Sequence, residues 1–147
     1  MLRGIATALQ AHPLESMPPG LRAPLDELRK AKPRDLLLLE VLARMNDDPA
    51  RATRRERGAD AKTPDAERVK AADLLRAVRD PQAKELFLAQ LKSAKSDAVR
   101  VGMLAGLESY DNPAIGETIL AGYPSYTAAV KKRAVQLLLT RPAWAIP

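Results

Sequence analysis

Two Asx-Pro steps, Asp80-Pro81 and Asn112-Pro113, stand 32 residues apart, and one pattern follows both. PxAxELFLAQL runs on from the first and PxIxETILAGY from the second. Superposed, Glu85 falls on Glu117, Phe87 on Ile119, Leu88 on Leu120, Ala89 on Ala121 and Leu91 on Tyr123. An Asx side chain accepts from free N–H groups at a helix start, and Pro in the first turn gives up no hydrogen bond. A helix start that recurs at this period predicts stacked helical hairpins, each burying a face it cannot bury alone.

Apolar residues make up 46% of the 147, but aromatics only 3%, so the core has to be built from Leu, Ala and Val. Leu and Ala favour helix, and no alternating β-branched run competes with them. The fold class expected is all-α, a right-handed α-α superhelix of four to five hairpins. In the first helix of each hairpin, Val69, Ala71, Ala72 and Leu75 match Val101, Met103, Leu104 and Leu107 at a step of 32. Ala134, Val135 and Leu138 follow at 31, and Leu36, Leu38, Leu39 and Leu42 precede at 33. That spacing makes one apolar stripe per helix.

The pattern predicts helices over 2–11, 24–31, 34–45, 64–78, 81–92, 97–109, 113–123 and 128–139. Residues 1–33 read as an irregular first hairpin with a loop holding Pro13, Pro18, Pro19 and Gly20. Residues 34–63 read as a degenerate repeat with a cationic insertion, and 64–147 as regular repeats of the same single domain. Thr63, Ser96 and Thr127 are expected caps, as is Asp48, which takes Asp47-Asp48 out of the running as a catalytic pair. Pro142 opens a further helix anchored by Trp144. That open end predicts a fragment of a longer protein, with a docked C-terminal turn as the other reading.

Residues 49–62 break the repeat. Counted from Asp48-Pro49, Arg54, Arg55 and Glu56 take the places of Leu86, Phe87 and Leu88. A helix there would lack an apolar face, so a solvated helix or a mobile loop is expected. Arg51, Arg54, Arg55 and Arg57 make it a possible anion-binding patch for phosphate, nucleic acid or an acidic surface, with a merely soluble insertion as the other reading. The net charge of +6 favours anionic partners in general. No aromatic residue interrupts the segment to stack bases.

Other chemistry is thinly supplied. The chain has no Cys and one His, His12, which leaves no thiolate metal site, disulfide or haem attachment within it. No nucleophile–base pair or phosphate loop is present. A catalytic role would rest on lone acids such as Glu85 or Glu117, so no activity, catalytic residue, metal or cofactor is expected of this segment. Gly102 and Gly106 read as close helix packing, and Tyr110, Tyr123, Tyr126 and Trp144 as core. No stretch is long and apolar enough to span a membrane as a helix.

Asp65…Arg68 and Asp97…Arg100 repeat an Asp-x-x-Arg spacing 32 apart. Here the chain resembles HEAT-like (armadillo-like) repeats, and the resemblance implies that these residues tie neighbouring repeats together. Lys131 follows 31 later but meets Ala128 where the acid would be, so the last joint is expected to be looser. The likeness covers about residues 64–145 and is densest in DNPAIGETILAGYPSYTAAVKKRAVQLLLTRPAWA, above all in Leu137–Trp144. That stretch is similar to the HEAT-like segment of multidomain bacterial proteins of the PVC-type haem-binding or membrane-bound dehydrogenase-like kind. The resemblance implies a spacer or docking module in a larger redox protein, in contact with other domains or a protein partner, and periplasmic or extracellular. CxxCH is missing here, so no haem role passes to any residue of this chain.

Overall fold

The structure, a computed structural model, describes residues 2–144, without the side chain of Ala143. Met1 and the last three residues of the expected C-terminal helix lie outside the described residues. Among the described residues there are nine α-helices, two short 3-10 turns and no strand. Contacts divide the chain into two compact units, Met1–Glu56 and Arg57–Pro147.

Unit 1 holds α1 (Leu2–Ala11), α2 (Pro19–Ala31), α3 (Leu36–Arg44) and most of α4 (Asp48–Ala59). α2 starts five residues before the sequence expectation. Pro19 fits its first turn, where the missing N–H has no partner to lose, and Pro24 is accommodated within the helix. Asp35 starts α3 by accepting from the Leu37 and Leu38 amides, both at 3.0 Å. α1 packs on α3, and Leu9, Leu25, Leu38, Leu39, Val41 and Leu42 are buried.

Unit 2 holds α5 (Asp65–Ala77), α6 (Ala83–Ser93), α7 (Asp97–Leu107), α8 (Pro113–Gly122) and α9 (Ala128–Thr140), with 3-10 turns at Tyr123–Ser125 and Pro142–Trp144. These bounds lie within two residues of the sequence expectation, the usual fraying range. α5 packs on α7, α7 on α9, and α6 on α7. The expected stripe is the core: Ala71, Ala72, Leu75, Met103, Leu104 and Leu107 are fully buried, as are Ala83, Phe87, Ile115 and Ile119 from the second helices. Gly106 admits the Phe87 ring, since a Cβ there would lie 2.6 Å from it. Trp144 is buried against α8 in the same manner, over Gly116. For Pro142–Trp144 the docked turn is therefore the arrangement observed.

Caps follow the sequence at three of six expected places, and at a fourth Asp80 accepts from the Gln82 amide at 2.8 Å, although the residue directly before α6 is Gln82, with no side-chain cap of its own. Asn112 accepts from Ala114 at 3.0 Å, and Ser96 and Thr127 accept from Val99 and Val130 at 3.5 Å. Thr63 does not cap α5, whose boundary residue is Pro64, with no side-chain hydrogen bond. Asp47, not Asp48, starts α4, accepting from Ala50 at 3.1 Å.

That last correction resets the register expected for residues 34–63. Among the described residues, Asn46 and Arg79 are the two non-glycine residues with positive φ, at 62° and 49°. Each is followed by a buried Asp whose amide bonds to the carbonyl five residues before it, Asp47 to Leu42 and Asp80 to Leu75. This is the Schellman closure of a helix C-terminus. The two turns are 33 apart, so Ala50 corresponds to Ala83, Arg54 to Phe87 and Gly58 to Leu91. All six are buried. Residues 48–59 therefore form a helix with an inward face, and the expectation of a solvated helix or mobile loop is corrected. The face escaped notice because an arginine stands where its sister helix has a phenylalanine.

Candidate functional site

The four arginines of the expected anion patch are placed by α4, and the unit boundary falls among them: Arg51, Arg54 and Arg55 belong to unit 1, Arg57 to unit 2. Arg51 is 9% exposed and donates from Nε to the Ala43 carbonyl at 3.3 Å. Arg54 is 5% exposed and donates from Nη2 to the Leu36 carbonyl at 2.6 Å. In unit 2, Arg57 pairs with Glu67 at 2.5 Å. A buried guanidinium is stable only where its N–H groups find acceptors, and the main-chain oxygens of α3 supply them here. Arg51 and Arg54 thus work as internal braces, and Arg55 is half-buried.

The sequence names the acid of this region only as half of an Asp47-Asp48 pair that is set aside, and gives it no role of its own. Asp47 is 3% exposed, accepts from Arg29 at 2.9 Å as well as from the Ala50 amide, and has Arg22 at 3.9 Å. It joins α2 to the α3–α4 turn. The signal that could have found it was the 33-residue step already visible in α3, which places Asp47 on Asp80.

The Asp-x-x-Arg pairs divide in their behaviour. Arg68 is buried, lies 3.7 Å from Asp65, and donates to the Gly58 carbonyl at 3.2 Å and to Gln90 of α6. It fastens the last turn of α4 and α6 to α5, within unit 2. Asp97 accepts from the Thr127 hydroxyl at 2.7 Å, so it bridges α7 to the start of α9 without Arg100. The buried Nε of Arg100 has no hydrogen-bond partner among the described residues. A second bridge joins the same helices, from Arg133 to Glu108 at 3.0 Å. The joint expected to be loose carries two polar ties. Lys131 lies over the Tyr123 ring, 5.5 Å from its centroid.

Tyr126 packs against Gly122 and is 7% exposed. Burial holds its phenol above the ordinary value of 10.0, with the positive charge of Arg100 opposing. The folded chain therefore keeps the phenol proton more tightly than the unfolded chain does. Stability from this group is full below pH 10 and falls as pH rises through the folded value. Thermal melts should show a decline above pH 10 that is shallower in Tyr126→Phe. Parallel curves for the two proteins would contradict this.

The chemical yield of these arrangements is structural. His12 is exposed in its loop. Among the described residues no cluster of three or more His, Cys, Asp or Glu could hold a metal, and no helix is long and apolar enough to cross a membrane. Glu85 and Glu117 are exposed on α6 and α8. No family model, curated protein or solved structure matches the chain.

Proposed function

We propose that this chain is a non-catalytic HEAT-like scaffold or spacer that mediates protein–protein or interdomain docking. The observation that carries the reading is the recurring joint in unit 2. α5, α7 and α9 pack in sequence, fully buried Ala72 and Leu104 occupy the same position of α5 and α7, and polar ties at Asp97–Thr127 and Glu108–Arg133 fix the second joint. Such packing supports an α-α superhelix whose mechanism is stiffness plus repeated surface. The basic side chains of α4 are better explained as braces than as a nucleic-acid site, given the carbonyl partners of Arg51 and Arg54. Membership of a larger dehydrogenase or cytochrome c-type protein rests on the resemblance alone. Reading the coding frame on either side of the segment for CxxCH tests that part.

The scaffold reading is tested by dyes on the exposed positions Lys70 of α5 and Gln136 of α9. Single-molecule energy transfer should give one narrow distance distribution, unchanged by salt. A broad or salt-dependent distribution would overturn it. In the same buffers a labelled oligonucleotide should show no binding that weakens with salt. Four phosphate contacts would instead give a log K against log[salt] slope of about −3.6.

A further inference from the structure

The two Asp-x-x-Arg pairs leave their arginines in opposite conditions. Arg68 donates to the Gly58 carbonyl and the Gln90 amide oxygen, and lies 3.7 Å from Asp65. Arg100 stands 32 residues on, and none of these acceptors has a working counterpart. The step that carries Leu91 to Tyr123 carries Gln90 to Gly122, which has no side chain to offer. Asp97, the counterpart of Asp65, accepts from the Thr127 hydroxyl at 2.7 Å instead. Among the described residues no main-chain carbonyl takes the part of Gly58, and the buried Nε of Arg100 is left without a hydrogen-bond partner. Arginine stays charged at any ordinary pH, so a buried N–H without an acceptor is costly.

The space beside Gly122 holds a phenol. The Tyr126 hydroxyl lies so close over this glycine that a Cβ there would collide with it. Tyr126 is 7% exposed, and among the described residues its hydroxyl makes no hydrogen bond. The positive charge of Arg100 acts on that phenol. Tyr126 meets Tyr123 edge-on, and Lys131 lies over the Tyr123 ring, adding a second cation to this corner. Asp97 is the acid beside it, already engaged by Thr127.

We propose that Arg100 and the Tyr126 hydroxyl form a binding site for a phosphate group. Arg100 is half-buried, so a solvent-borne anion can reach it. α7, which carries Arg100, packs on α5, α6 and α9, so the site lies within the run of helices and not at its edge. The guanidinium supplies N–H donors in a fork and the phenol a further donor. A phosphate has an oxygen for each of them, whereas a carboxylate has only the two that the fork takes up. The second negative charge of phosphate suits a corner that also holds Lys131. A free ion and a phosphate ester present the same chemistry here, and the test separates them. The inference goes beyond the scaffold reading and does not rest on it.

The test is nitrogen-resolved NMR of the arginine Nε–H groups in the full chain, titrated with inorganic phosphate at constant ionic strength and neutral pH. The Arg100 signal should move and saturate in the millimolar range, while that of Arg68, whose acceptors are in place, stays where it is. Sodium chloride at the same ionic strength should move neither, and acetate should bind more weakly than phosphate by at least about tenfold. O-Phosphoserine is the second probe: tighter binding than inorganic phosphate assigns the site to phosphate esters, and weaker binding assigns it to the free ion. Followed at the Thr127 and Lys131 amides, phosphate binding should weaken by more than about tenfold in Arg100→Gln and by about threefold in Tyr126→Phe. The titration of the unaltered chain decides the matter even if a variant fails to fold. An Arg100 signal that stays put into the tens of millimolar overturns the proposal. So does an equal response of Arg68, acetate binding as tightly as phosphate, or undiminished binding in folded Arg100→Gln.

Discussion

Phe87→Ala is expected to remove about 3–5 kcal/mol of unfolding free energy, the range for emptying an aromatic site in a packed core. Phe87 is fully buried, faces Gly106 at a separation that excludes even a Cβ, and meets Tyr110 edge-on with ring centroids 6.2 Å apart. Helices do not close readily over such a space, because α6 and α7 are each held by further buried side chains. A loss of this size is a large part of the roughly 5–15 kcal/mol that a domain possesses. Urea unfolding followed by Trp144 fluorescence reports on unit 2, where that tryptophan is buried. Leu88→Ala, a half-buried neighbour, should cost clearly less. A Phe87→Ala shift below about 1 kcal/mol would mean that the α6–α7 contact is not the core of this unit.

Asp47→Ala should cost unit 1 about 3 kcal/mol. Two terms add: the lost N-cap of α4, about 1 kcal/mol, and the lost acceptor of Arg29. The upper end of the range for breaking a buried ion pair is not reached, because Arg29 also holds Asp26 at 2.8 Å and keeps that partner. Asp47→Asn should fall between, since an amide oxygen can still cap but carries no charge. Unit 1 has no tryptophan, so the readout is hydrogen exchange. Amides of the first turn of α4, Ala50 foremost, should lose protection in Asp47→Ala. Unaltered protection there would show that the aspartate is not what starts the helix.

The helices of unit 2 were legible because propensity, caps and apolar spacing agree there. At Asn112-Pro113 the side chain, the imino ring and the buried Ile115 and Ile119 all specify one helix start and one inward face. α4 was misread because a local signal competed with a longer one. Asp48-Pro49 looks like the other helix starts, whereas the stripe of α3 had already moved to a step of 33. The longer signal was the right one, and following it places Arg54 where Phe87 stands. What sequence could not supply was the fate of the arginines. Whether a guanidinium reaches solvent or a carbonyl depends on the tertiary position of Leu36 and Ala43, which no spacing within α4 encodes. Thr127 was legible as a cap, but its second bond to Asp97 needed α7 and α9 side by side.

The turns at Asn46 and Arg79 share a backbone course and differ in what the following helix buries. Both have a left-handed residue followed by an aspartate, while a ring on one inner face is a cation on the other. A comparison that weighs hydrophobicity sees two unrelated helices there, and one that weighs the turn sees the same element twice. Between these two segments the likeness lies in the turn that ends one helix and starts the next, and not in the side chains that fill the space behind it.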